Sequence, residues 1–102
     1  MIKISDNDFH PHLKSRMLQR GVKAEEIERV LNDGWDATDT KSGTLGKVFV
    51  FPYNGIWEGE LFEEKEVSVY YKMVDDIIML LTVKARYGKG FLKEEKDREV
   101  RI

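Results

Sequence analysis

The chain predicts a single α+β domain, because helical patterns fill the first third, β-rich runs fill most of the rest, and 102 residues make one core but not two. An apolar fraction of 41%, with eleven aromatic residues, supplies enough surface to pack that core without a metal or disulfide. The domain is read as residues 1–92, followed by a charged tail at 93–102 in which eight of ten residues are ionisable. That tail is expected to be either a solvated helix or a disordered end.

Ile2 and Ile4 alternate with polar neighbours, which fits a short strand or an extended lead-in. His10-Pro11 suits a helix start, since proline at the first helical position gives up only an amide that has no partner there. A first helix is expected over Pro11 to Arg20, ended by Gly21. A second opens at Lys23 to Glu26, with Ala24, Ile27, Val30 and Leu31 on its apolar stripe, and ends near Gly34. Trp35 to Gly46, rich in Asp, Thr, Ser and Gly, reads as the main loop.

Three β-rich runs follow: Lys47 to Tyr53, Glu66 to Val74 and Ile77 to Ala85. In the middle run Val67, Val69, Tyr71 and Met73 share one face, and Ser68, Tyr70 and Lys72 the other. Asp75 and Asp76 make a turn. The run Ile77 to Val83 hardly alternates, which places it in the middle of the sheet with both faces covered. Trp35 and Trp57 are expected in loops, closing an edge of the core or offering binding platforms.

Composition excludes several classes. With no cysteine there is no disulfide scaffold, thiolate nucleophile or zinc finger. No apolar stretch reaches the ~20 residues of a membrane helix and no signal-like segment opens the chain, so a cytoplasmic protein is expected. A net charge of −2 argues against a protein that binds nucleic acid by bulk charge. Lys84, Arg86, Lys89 and Lys93 nevertheless fall in ten residues that contain no acid.

The chemistry-bearing feature is the spacing of His12, Arg16 and Arg20. On a helix, steps of four advance only ~40°, so the three form one stripe, with Leu13 and Met17 turned toward the core beside it. Guanidiniums grip phosphate oxygens in bidentate fashion and an imidazole moves protons near neutral pH, which suits a phosphodiester. The competing reading has both arginines in structural ion pairs, with Glu25, Glu26 and Asp33 as partners. In Lys84 to Phe91, Lys84 and Arg86 share a side and Tyr87 can stack or exchange a proton, while Gly88 and Gly90 would let amides approach a phosphate. The alternation of Asp6, Asp8, His10 and His12 could suggest a metal site, but Pro11 interrupts it and capping is the commoner role.

The pattern His12-x-x-x-Arg16-Met17-x-x-Arg20-Gly21-Val22-x-x-Glu25-Glu26-Ile27-x-x-Val30-Leu31-x-x-Gly34, followed by strands ending in Leu81-Thr82-Val83, resembles the DUF4258 family. That family looks related to the RelE/ParE-like toxin fold, with BrnT-type ribonuclease toxins among similar proteins. The resemblance implies two N-terminal helices packed on a twisted antiparallel sheet of three to four strands. It also implies a toxin-like, metal-independent endoribonuclease of a toxin-antitoxin-like system, needing no cofactor, with RNA or the ribosome and an antitoxin protein as partners. Carried over, His12, Arg16 and Arg20 are catalytic by motif, with Arg86 and Tyr87 catalytic and Lys84 substrate-binding by location only; Lys89, in the same basic segment, is read as a further substrate contact. The alternative is a non-catalytic protein-interaction module or homodimerising domain. Asn54 to Lys65, read as a loop carrying Trp57 and several glutamates, has no recognised counterpart in the family.

Overall fold

A computed structural model describes residues 2–93 and shows an α+β fold: two helices on one face of a four-stranded antiparallel sheet. Most of the charged tail at 93–102 therefore lies outside the described residues. Among the described residues no helix is long and apolar enough to cross a membrane.

The N-terminal segment is extended but joins no strand. It zips along the second helix: the Ile2 amide donates to Asn32 Oδ1 (2.7 Å), Asn32 Nδ2 donates to the Ile2 carbonyl (3.0 Å), and the Ile4 amide donates to Glu28 Oε2 (2.9 Å). A 3₁₀ turn at Asp6–Asp8 leads into helix α1, Pro11–Arg20. His10 caps α1 by accepting the Leu13 amide at Nδ1, and its Nε2 donates to the Leu80 carbonyl at 2.9 Å, so the ring hydrogen resides on Nε2. Helix α2, Ala24–Asp33, buries Ile27, Val30 and Leu31 as its periodicity predicts.

The sheet runs β1 (Trp35–Asp36), β2 (Leu45–Trp57), β3 (Glu60–Val74) and β4 (Ile77–Gly88), in that order. Two expectations change here. Asn54 to Lys65 is no loop: β2 and β3 continue through it to a tight turn at Glu58-Gly59, where both residues have positive φ as a two-residue hairpin turn requires. A register shift between Pro52 and Gly55 hides the alternation there. And β4 is the edge strand, not the centre. Its broken alternation comes from a bulge, because Tyr70 pairs with Thr82 but Tyr71 with Leu80, leaving Leu81 extra. The bulge shifts phase, so Leu80 and Val83, three apart, both enter the core.

That core joins Leu13, Val22, Ile27, Val30 and Leu31 from the helical side to Val67, Val69, Leu80 and Val83 of the sheet. One buried charge holds its corner. Lys65, 2% exposed, directs Nζ to both Glu26 carboxylate oxygens (2.8 and 3.0 Å) and to the Gly21 carbonyl at the end of α1. Tyr53 and Tyr87 flank the ammonium, their ring centroids 5.8 and 5.7 Å away. Gly21 is required twice: its φ of 70° is left-handed, and a Cβ would lie 2.5 Å from the Trp57 ring and 2.8 Å from the Tyr87 hydroxyl.

Replacing Lys65 with Met strands the Glu26 carboxylate, and we expect a loss of ~3 kcal/mol in urea unfolding, the low end for a broken buried pair because Glu26 is partly solvated. Gly21→Ala is expected to lower the melting midpoint as well, with a backbone cost of ~1–3 kcal/mol before the ring contacts are counted. A Gly21→Ala midpoint equal to the wild type would contradict this packing.

Candidate nucleic-acid interface

Helix α1 lies along β4, its N-terminus held to Leu80 by His10 and its C-terminus to Tyr87, whose hydroxyl donates to the Arg20 carbonyl at 2.6 Å. Leu13 is fully buried and Met17 packs on the core, which puts the stripe of His12, Arg16 and Arg20 along the border of the helix, as its spacing predicts. Successive members rise ~6 Å along the axis. His12 is exposed, its ring parallel to that of His10 with centroids 6.0 Å apart. Arg16 Nη1 donates to Gln19 Oε1 at 3.1 Å, and Arg20 Nε is buried without a hydrogen-bond partner among the described residues.

Of the expected acidic partners of the two arginines, Glu26 is engaged with Lys65 and Asp33 with Arg29 at 2.6 Å, while Glu25 is exposed and joins no ion pair among the described residues. Helix α1 carries no acid, and none of Lys14, Arg16 and Arg20 is ion-paired among the described residues. By contrast Lys47, Lys65, Lys84, Arg86, Arg29 and Lys93 each have a carboxylate. Helix α1 thus carries three cations in a row without an ion pair; Lys3, Lys23, Lys41, Lys72 and Lys89, also unpaired among the described residues, are spread over other elements.

Lys84 and Arg86 project from the opposite, open face of β4, opposite Ser68 and Glu66 of β3. They border a groove of about 360 Å³ lined also by Val48, Tyr70 and Asp39. Arg86 Nε donates to Glu66 at 2.8 Å while its guanidinium carbon sits 4.8 Å from the Phe91 ring centroid; Lys84 Nζ lies 3.6 Å from Asp39 and 5.2 Å from the Tyr70 ring centroid. The face that carries Ser68 and Tyr70 is buried because the loop after β1 folds over it, Asp39 accepting the Tyr70 hydroxyl at 2.9 Å. Burial, then the Asp39 carboxylate, pushes the Tyr70 phenol up to about 12. Burial raises the Asp39 carboxyl, but the Tyr70 hydrogen bond and the Lys84 charge outweigh it and hold Asp39 below its ordinary value.

The ribonuclease reading of the sequence requires the α1 stripe and the end of the last strand to meet in one cleft, and the structure does not form that single cleft: the predicted set is divided. His12, Arg16 and Arg20 stand on the helical side, Lys84 and Arg86 on the open side, and the edge strand β4 runs between them. Tyr87 is on the helical side but enclosed: it stacks on Trp57 (4.7 Å between centroids), meets Tyr53 edge-on, and spends its hydroxyl on Arg20. Burial first, then neighbouring Tyr53, Glu26 and Glu58, raises its phenol to about 12. It positions the end of α1 and is not placed to shuttle protons; His12 lies at the other end of the helix, ~12 Å away along the axis.

Lys89 is exposed beyond β4, and the Gly88-Gly90 turn carries the chain back so that the Phe91 amide donates to Glu64, leaving that amide engaged. Trp35 lies in β1 against Phe49 and Trp57 in β2 against Tyr87, so neither is a free platform. Asp6, Asp8, His10 and His12 do not converge; no group of three metal-binding side chains occurs among the described residues. Asp39, Glu66, Ser68 and Tyr70 escaped the sequence reading as site residues. Glu66 inside a β-rich run was the available signal. No protein-family model matches the chain, and neither the curated proteins nor the solved structures hold a significant match.

Both raised phenols bind a proton more tightly folded than unfolded, so their contribution is complete below pH 10 and drains as pH rises from 10 toward 12. Urea midpoints measured across that window should fall. Asp39→Asn should shift the Tyr70 component of the 295 nm absorbance titration to lower pH; an unmoved titration would mean Asp39 does not engage the phenol.

Proposed function

We propose that the protein binds single-stranded RNA across the β4 edge and cleaves it as a toxin-like, metal-independent endoribonuclease. The observation that carries this reading is the row of cations on α1 that no carboxylate neutralises, beside an edge strand whose other face bears Lys84 and Arg86. Phosphates bring the counter-charge that α1 lacks, and a flexible single strand can bend over an edge as a stiff duplex cannot. Because β4 is an edge, both groups border the path of one chain.

In the reaction, the 2′-oxygen forms a bond to the adjacent phosphorus and the bond to the 5′-oxygen breaks, giving a cyclic phosphate and a free 5′-hydroxyl. His12 accepts the 2′-hydroxyl proton and returns it to the departing 5′-oxygen. Arg16, one turn from His12, stabilises the charge that builds on the phosphorane, and Arg20, Lys84, Arg86 and Lys89 hold flanking phosphates. The RNA competes with Asp39 and Glu66 for Lys84 and Arg86, so the unpaired cations of α1 carry more of the salt dependence of binding than these two do. The resemblance of the helical motif to DUF4258 and its toxin-like relatives supports the same chemistry, and a toxin of this kind would be silenced by an antitoxin protein.

Induced expression of the wild type is expected to arrest host growth with RNA loss, and His12→Ala or Arg16→Ala at equal protein levels to relieve it. Three cultures growing alike while folded protein accumulates would overturn the toxin reading. For binding, Arg16→Ala with Arg20→Ala should reduce affinity for single-stranded RNA and flatten the slope of log affinity against log salt by ~0.7 for each phosphate no longer neutralised.

A further inference from the structure

Eight large apolar side chains are exposed among the described residues, and four of them, Met73, Val74, Ile77 and Met79, belong to the tip of the β3–β4 hairpin. The tip carries Asp75 and Asp76 at its turn, against the single Lys72. Both aspartates hold positive φ, 52° and 64°, in a turn that Asn-Gly would form with less strain. The sequence keeps two carboxylates there instead.

The complement of this tip is on the same molecule. Between the 3₁₀ turn and the two helices runs a predominantly apolar groove of about 600 Å³, floored by Phe9, Met17 and Val22, with Leu18 at its rim 83% exposed. Lys14 and Lys23 stand at its border, neither ion-paired among the described residues, with Asp6 the one acid. Apolar surface thus faces apolar surface in kind, and two lysines match two aspartates. Groove and tip are also neighbours, separated only by the 3₁₀ turn: Asp6 and Phe9 border the groove, Asn7 and Asp8 border the tip.

We propose that the occupant of this groove is a second copy of the chain, which inserts its β3–β4 hairpin tip and receives the first copy's tip in its own groove. Two unlike surfaces that adjoin on one molecule can meet twice about a two-fold axis, closing the assembly as a dimer. Each contact buries Ile77 and Met79 against Met17 and Leu18 and sets Asp75 and Asp76 against Lys14 and Lys23. The proposal shares only Lys14 with the α1 cations on which the RNA reading rests, and uses none of His12, Arg16, Arg20, Lys84 or Arg86.

Sedimentation velocity from ~10 μM to ~1 mM protein tests it. The wild type should dimerise in that range. Asp75→Lys/Asp76→Lys and Lys14→Glu/Lys23→Glu should each weaken self-association at least tenfold. Mixed in equal amounts they should recover a heterodimer, because both contacts are then complementary, and a chain carrying all four substitutions should dimerise like the wild type. A wild type monomeric at ~1 mM overturns the proposal and leaves the groove to a segment of another protein. Retained dimers in both charge-reversed variants overturn it too, as does a mixture that stays monomeric, whether or not the four-substitution chain pairs.

Discussion

The buried ammonium of Lys65 is the joint on which the two layers depend. A lysine from the middle of the sheet neutralises Glu26 of α2 and takes up the last turn of α1 through the Gly21 carbonyl, so one side chain fixes both helices against β3. Its surroundings follow from that placement. Tyr53 and Tyr87 shield it from water, Trp57 stacks on Tyr87, and the resulting aromatic wall leaves no room for a Cβ at residue 21. A charge this enclosed is tolerated only with its partners in place, which makes the corner specific as well as stable.

The edge position of β4 shapes everything proposed about the surface. An interior β4 would have its open-face and helix-side groups walled apart by a further strand. As the last strand, it leaves the cations of α1 and those at positions 84 and 86 on two banks of a single rim. The rim is protected from unwanted strand addition in the manner natural sheets favour: α1 lies along it and His10 occupies the Leu80 carbonyl.

Much of this was legible in the sequence where signals were local. Both helices keep the bounds that proline, glycine and apolar spacing imply, and the stripe of His12, Arg16 and Arg20 borders the core as a four-residue step requires. What stayed hidden was set by pairing. The run from Ile77 to Val83 looks like a doubly covered strand, yet its broken alternation records one unpaired residue, Leu81, which only the register reveals. The hairpin through Glu58-Gly59 was obscured by the shift at Pro52 to Gly55 and by exposed charges on a strand that leaves the core. Asp39 and Tyr70 are distant in sequence, and nothing local announces that a loop residue will close over a strand.

The bonds that hold the helices down span long stretches of chain: 70 residues from His10 to Leu80, 67 from Tyr87 to Arg20, and 44 from Lys65 to Gly21. The three long strands, by contrast, are joined by tight local turns and close without such loops. During synthesis the helices emerge first; α2 can dock once β2 and β3 have followed, but α1 packs chiefly on β4 and travels with its apolar side uncovered until that strand has left the ribosome. The last strand made is therefore the one that completes the fold, and premature termination anywhere before residue 87 yields a chain whose first helix lacks the Tyr87 anchor.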